Sequence, residues 1–166
     1  MRATLAMLLV VLAFSGCSVR VGGSGASKVA RVGQAAPDFA EPTSSGSKLT
    51  LSSLRGKAVY LNFFATWCPP CNEEAPGINV LQKQYADRGL QVVGVDVLEN
   101  EKKAEGFVRK FGLSYPAIVD DGTLQSQYRV NGLPVHVFID RDGVVKKIVI
   151  GEMNQTQIAS AIQTIL

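Results

Sequence analysis

The sequence predicts an α/β fold: a mixed central sheet with helices on both faces and an extra β-hairpin at the N-terminal edge of the domain. Three observations lead there. From about residue 58 onward, apolar runs of strand length alternate with segments of helical spacing, the pattern of a sheet covered by helices. Ala58–Phe64 is an apolar run, as expected of a strand buried on both faces. Near the C-terminus, Asp140-Arg141-Asp142-Gly143 separates two further apolar runs and reads as a tight turn with Gly supplying the positive φ, so an antiparallel pair closes the sheet.

The elements follow in order. Asp38-Phe39-Ala40 and Lys48–Leu51 read as two short strands flanking the turn-rich Thr43-Ser44-Ser45-Gly46-Ser47. Ser52–Gly56 reads as one helical turn closed by Gly. After the Ala58–Phe64 strand, a helix is expected over about Asn72–Arg88, with Ile78, Leu81, Gln82 and Tyr85 on its inner face and Gly89 ending it. Pro76 inside it should kink the helix near Asn72, because proline removes a hydrogen bond and clashes one turn back. Leu90–Val97 is a second apolar strand. Glu101–Phe111 is a helix facing inward through Phe107, Val108 and Phe111, with Gly112 closing it. A short strand at Ala117–Val119 and a short helix at Thr123–Tyr128 precede the terminal hairpin, Val135–Asp140 with Val144–Ile150. Asn154–Leu166 closes the chain as an amphipathic helix, with Ile158, Ala161, Ile162 and Ile165 inward.

The 166 residues suffice for one domain with a real core, and 46% hydrophobic content fits a folded globular chain. A net charge of +3, with both signs interspersed, offers no stripe for nucleic acid and no polybasic membrane patch. The N-terminus stands apart. Met1-Arg2 is a short basic start, and Leu5–Phe14 is continuously apolar but shorter than the roughly 20 residues that span a bilayer. That pattern suits a secretory signal over residues 1–16. Phe14-Ser15-Gly16-Cys17 resembles the lipobox of bacterial lipoprotein signals, with Phe14 where Leu is usual. The resemblance implies a diacylated Cys17 and a lipid anchor to a membrane. Ordinary cleavage, leaving Cys17 as a spare thiol, is the alternative. Residues 18–31, rich in Gly and Ser, read as a flexible tether, and the domain is expected over residues 32–166. Ser18 resembles the outer-membrane pattern where two membranes exist.

The chemistry lies in Trp67-Cys68-Pro69-Pro70-Cys71, placed where the buried strand ends and the helix begins. Unpaired N–H groups and the positive end of the helix dipole stabilise a thiolate there, lowering its pKa from about 8.5. The thiolate attacks disulfides, and a second cysteine one turn along can close an intramolecular bond. Three cysteines are present, one accounted for by lipid and two by this motif, which leaves none for a structural bridge. A disulfide closing so small a loop is a poor staple, so the pair points to redox work or metal binding.

Asn62-Phe63-Phe64-Ala65-Thr66-Trp67-Cys68-Pro69-Pro70-Cys71, with Glu73-Glu74-Ala75-Pro76, resembles the TlpA/ResA branch of the thioredoxin family. Val93-Gly94-Val95-Asp96, Tyr115-Pro116-Ala117 and Gly132-Leu133-Pro134 before Phe138-Ile139-Asp140 extend the resemblance from about Val32 to Leu166. It implies a thioredoxin fold and membrane-anchored thiol–disulfide exchange outside the cytoplasm. Cys68 would be the exposed nucleophile and Cys71 the buried resolving thiol, the two forming the redox-active disulfide. Pro134 would be cis and lie against them. Ordinary thioredoxins carry a buried Asp where this chain has Asn62, which cannot titrate. Glu74, on the same helical face as Cys71, is then the candidate base for it, ResA-like members carrying Glu there; the bland alternative is a solvated acid at a helix start. Glu73 is expected to be solvated. Trp67, Pro69, Pro70, Leu133 and Pro134 are expected to contact substrate, with exposed backbone pairing an extended peptide. The implied partners are exported proteins with reducible disulfides, such as apocytochrome c or copper-site proteins, and a membrane electron donor that re-reduces the pair. No cofactor is implied.

Two rivals share the fold. A copper chaperone would use Cys68, Cys71 and the single histidine, His136. Its relatives place three residues between the cysteines, not two, and His136 sits in an apolar strand where packed histidines are common. A peroxiredoxin would need Pro-x-x-x-Thr-x-x-Cys, and Leu61 stands at the Pro position.

Overall fold

The computed structural model describes residues 29–166. The expected signal segment, Cys17 and most of the tether lie outside the described residues. Ala30 is already packed, its N–H donating to Gln127 O at 2.8 Å.

The central sheet has five strands. β3 (Ala58–Phe64) runs parallel to β4 (Leu90–Val97), which runs parallel to β5 (Ala117–Asp120). On the other side β3 is antiparallel to β6 (Val135–Ile139), and β6 to β7 (Val145–Ile150). The order β5-β4-β3-β6-β7 puts β3 in the middle, with every residue buried. A separate hairpin, β1 (Ala40–Pro42) with β2 (Lys48–Thr50), rests on the β5 edge, where Ser44 N–H donates to Ala117 O at 2.8 Å.

This hairpin starts two residues later than the sequence predicts. Asp38 is not available as a strand residue, because its Oδ1 accepts the N–H of Phe39 at 2.9 Å and of Ser52 at 3.1 Å. It ties the start of the hairpin to the turn after β2. The last turn matches expectation: Gly143 has φ +81°, and Asp140 Oδ1 accepts from the N–H of Asp142 and Val144.

Alternation along β3 divides the core into two faces. Val59, Leu61 and Phe63 face α3 (Thr123–Gln127), the N-terminal segment and Leu54. Ala58 and Tyr60 face α1 (Pro69–Tyr85) and α4 (Gln155–Gln163), while Phe64 packs on α2 (Glu101–Phe111) through Phe107. Ile158, Ala161 and Ile162 of α4 are buried as expected, and so is Ile165 just past its end. Its start is set by a capping box, Asn154 and Gln157 each bonding the other's backbone N–H. In α2, Phe107 is buried but Val108 and Phe111 only partly, and Ala104 takes the central contact.

Phe138 is fully buried and stacks on Tyr60, ring centroids 4.7 Å apart. Phe138→Ala is expected to cost about 3–5 kcal/mol, lost transfer energy plus the cavity left behind. Urea unfolding at unchanged slope would measure it.

Candidate active site

The helix carrying the pair begins at Pro69, not Asn72. Pro69 and Pro70 occupy its first two positions, where their missing N–H groups leave no bond unmade. Cys68 is its N-cap, and its Sγ accepts the Cys71 N–H at 3.4 Å. That N–H is what the proline pair leaves to the sulfur. The helix runs as one span through Pro76 to Tyr85, and a 3₁₀ turn over Ala86–Arg88 carries the chain to Gly89 at φ +82°.

Cys68 and Cys71 form a disulfide, Cα atoms 5.3 Å apart. The expectation of an exposed Cys68 needs correction for this state, since each cysteine is only 2% exposed. The pair sits in an apolar cluster with Phe64, Ala75 and Phe107, and Leu133 packs against it. The Leu133–Pro134 peptide is cis, the isomer the resemblance implied. Trp67 does not fill the core. It is 69% exposed and borders a cleft of about 250 Å³ with Leu98, Gln125, Val130 and Leu133. Leu98 is 62% exposed and adopts φ +57°, a left-handed backbone that a leucine rarely takes. No local pattern in the sequence marks it.

Glu74 is buried, and Glu73 beside it is not. Glu74 Oε1 accepts the Met153 N–H at 2.6 Å, and Oε2 has no hydrogen-bond partner. Burial pushes the carboxyl up to about 7, against the pull of the Met153 bond. A cleft of about 210 Å³ bordered by Glu73, Glu152, Met153 and Gln155 gives it a path to water. The solvated-acid alternative does not fit this carboxyl.

His136 is fully buried in β6. The Gly151 carbonyl, 3.1 Å from Nε2, can only accept, so Nε2 carries the proton and Nδ1 accepts from the Tyr60 hydroxyl at 2.7 Å. Glu74 Oε2 lies 3.6 Å from Nε2. Burial pushes the imidazole down to about 4, so it stays neutral near pH 7. Among the described residues no three His, Cys, Asp or Glu side chains gather as a metal site, so the copper set of Cys68, Cys71 and His136 is not assembled. Asn62 is buried, with no partner for its Nδ2.

Sequence reasoning missed how the loop before Cys68 is held. Thr66 is bound by Glu99, and Asn72 Nδ2 donates to the carbonyls of Thr66 and Cys68 at 3.0 and 2.7 Å. The available signal was an acid, Asp96, inside an apolar strand just before Glu99.

The chain matches the AhpC/TSA family over residues 32–148. It is 37% identical over 136 residues to the thiol-disulfide oxidoreductase ResA of Bacillus cereus, an alignment covering 81% of this chain and 79% of that one. A thiol:disulfide interchange protein of the thioredoxin family from Chlorobium tepidum superposes with a TM-score of 0.74 at 31% identity, over 79% of this chain and 94% of the other. A secreted disulfide oxidoreductase of Mycobacterium tuberculosis, homologous to E. coli DsbE, superposes with a TM-score of 0.69 at 29% identity, over 76% and 95%.

Proposed function

Since the chain belongs to the AhpC/TSA family and is a thioredoxin-fold thiol-disulfide oxidoreductase, we propose that it acts outside the cytoplasm as a reductant of disulfides in exported proteins. Export is supported by the signal-like N-terminus and by likeness to a secreted oxidoreductase. Cys17 carries the lipid that holds it at a membrane, and a membrane electron donor restores the dithiol. Clients are exported proteins such as apocytochrome c or copper-site proteins.

The observation that carries the reducing direction is the proline pair. Pro69 and Pro70 have no N–H to offer, so the Cys68 sulfur receives the Cys71 N–H without the further donors that an open helix turn supplies. A thiolate so modestly stabilised favours the oxidised form of the protein, which makes the dithiol a good reductant.

In the reduced protein the Cys68 thiolate attacks one sulfur of a client disulfide, forming a mixed disulfide and expelling a client thiolate. Glu74 takes the proton from Cys71. The Cys71 thiolate then attacks Cys68 Sγ, breaks the mixed disulfide and releases the second client thiolate, which takes up a proton. Two electrons pass to the client, and the Cys68–Cys71 bond stores the oxidation. Trp67 and Leu98 form apolar walls against which a client segment rests. Leu61 and Ala65 stand at the Pro and Thr places of the peroxide-binding motif, which argues against a peroxidase, and a peroxide assay showing no turnover would exclude one.

Equilibration with a dithiol buffer, read by thiol trapping, tests the direction. The potential is expected nearer about −270 mV than about −120 mV. A value at the oxidising end would reverse the proposal.

A further inference from the structure

Thr66 lies two residues before Cys68, and each of its polar groups is engaged. Its N–H donates to Glu99 Oε2 at 2.6 Å, its hydroxyl to Glu99 Oε1 at 2.9 Å, and its carbonyl accepts from Asn72 at 3.0 Å. Thr66 is the second residue of a turn closed by the Cys68 N–H donating to Ala65 O at 3.1 Å. The Glu99 side chain is 3% exposed, and Lys103 Nζ reaches its Oε1 at 2.9 Å. A buried carboxylate with two loop donors and a cation is in a strong charge-assisted clamp.

Behind this clamp lies Asp96, 0% exposed at the end of β4. Neither of its oxygens has a hydrogen-bond partner, and the carboxylate acting on it is that of Glu99, three residues on. Two carboxylates have no proton to share unless one is protonated, and a lone charge without a donor is costly in the interior. Glu99 already has its donors, so the proton belongs on Asp96. The charged groups acting on Asp96 are Glu99 and Lys103, while its cross-strand neighbours Phe64 and Val119 do not titrate.

We propose that Glu99 is a positioning residue for the attacking cysteine, and that a proton held on Asp96 keeps it in place. With that proton, Asp96 donates to Glu99, and Glu99 grips Thr66. When the proton leaves, two buried carboxylates repel, Glu99 lets go of Thr66, and the Ala65–Cys68 turn loosens. Burial and the neighbouring Glu99 push Asp96 up to about 8, while its hydrogen bonds hold Glu99 below the usual range, which places the release in the mildly alkaline region. The inference rests on Cys68 as the attacking sulfur for its consequence, but the clamp can be measured without any exchange chemistry.

The test is hydrogen exchange at the Thr66 amide of the oxidised protein, where neither cysteine titrates, as a protection factor from about pH 6 to about pH 9.5. Protection is expected to fall at least about tenfold across the ionisation of Asp96. Asp96→Asn supplies a permanent donor, so its Thr66 protection should stay flat over the same range. Glu99→Gln should show low protection throughout. Flat protection in the unsubstituted protein, or an unchanged fall in Asp96→Asn, would overturn the proposal. Should Asp96→Asn not fold, the Asp96 carboxyl carbon shift decides. A titration in the alkaline region supports the proton on Asp96, and one in the ordinary acid range refutes it.

Discussion

Cys68→Ser is expected to reduce disulfide exchange to the uncatalysed background, whereas Cys71→Ser should still attack clients and then stall. The difference follows from position. Cys68 caps the helix and receives the Cys71 N–H, so it is the sulfur that the helix start stabilises as an anion. Serine at 68 does not ionise near neutral pH and offers no sulfur to form a bond. Serine at 71 leaves the attack intact but removes the thiol that breaks the mixed disulfide. The Cys71→Ser protein should therefore accumulate covalent adducts, visible on non-reducing gels, lost on reduction and identifiable by mass spectrometry. The double variant should be no worse than Cys68→Ser, because residues acting as one unit are not additive. Adducts through residue 71 in a Cys68→Ser protein would reverse the assigned roles.

Glu74→Gln should slow release of the mixed disulfide by roughly 10²-fold, the lower range for a positioned base. In the unsubstituted protein this step should quicken as pH rises through about 7, where Glu74 loses its proton. The variant should show no inflection there, and stopped-flow thiol release across pH would separate the two. Stability carries the same signature. The folded value of about 7 lies above the ordinary 4.5, so the native state holds this proton more tightly than the unfolded chain. Its contribution is whole below the ordinary value and lost as pH rises toward 7, by roughly 3 kcal/mol. Asp96, pushed up to about 8, acts in the same sense. His136, pushed down to about 4, acts oppositely and loses stability as pH falls from about 6.5. Glu74→Gln should therefore flatten the decline above about pH 4.5, measured by urea unfolding at several pH values.

Elements set by local pattern were legible in the sequence. Ile158, Ala161, Ile162 and Ile165 repeat at helical spacing and are buried together. The Ala58–Phe64 run declared a central strand, and the Asp140–Gly143 turn declared its hairpin. The start of α1 was not legible, because two prolines look like a loop until they are placed in a first turn, where they are tolerated. Contacts between distant residues were also hidden. Glu74 meets Met153 from the far end of the chain, and Glu99 grips Thr66 from the next strand's loop. No periodicity encodes either contact. His136 offered a metal ligand by residue type, but Tyr60 and Gly151 occupy both of its nitrogens.

The proposed exchange requires Cys68 as the sulfur that attacks. In the disulfide form both cysteines are buried, so reduction must bring the Cys68 Sγ within reach of a partner. Brief alkylation of the freshly reduced protein with iodoacetamide at neutral pH, followed by peptide mass spectrometry, measures this directly. Modification at Cys68 with Cys71 protected is the predicted result. Rapid modification at Cys71 with Cys68 shielded would contradict it.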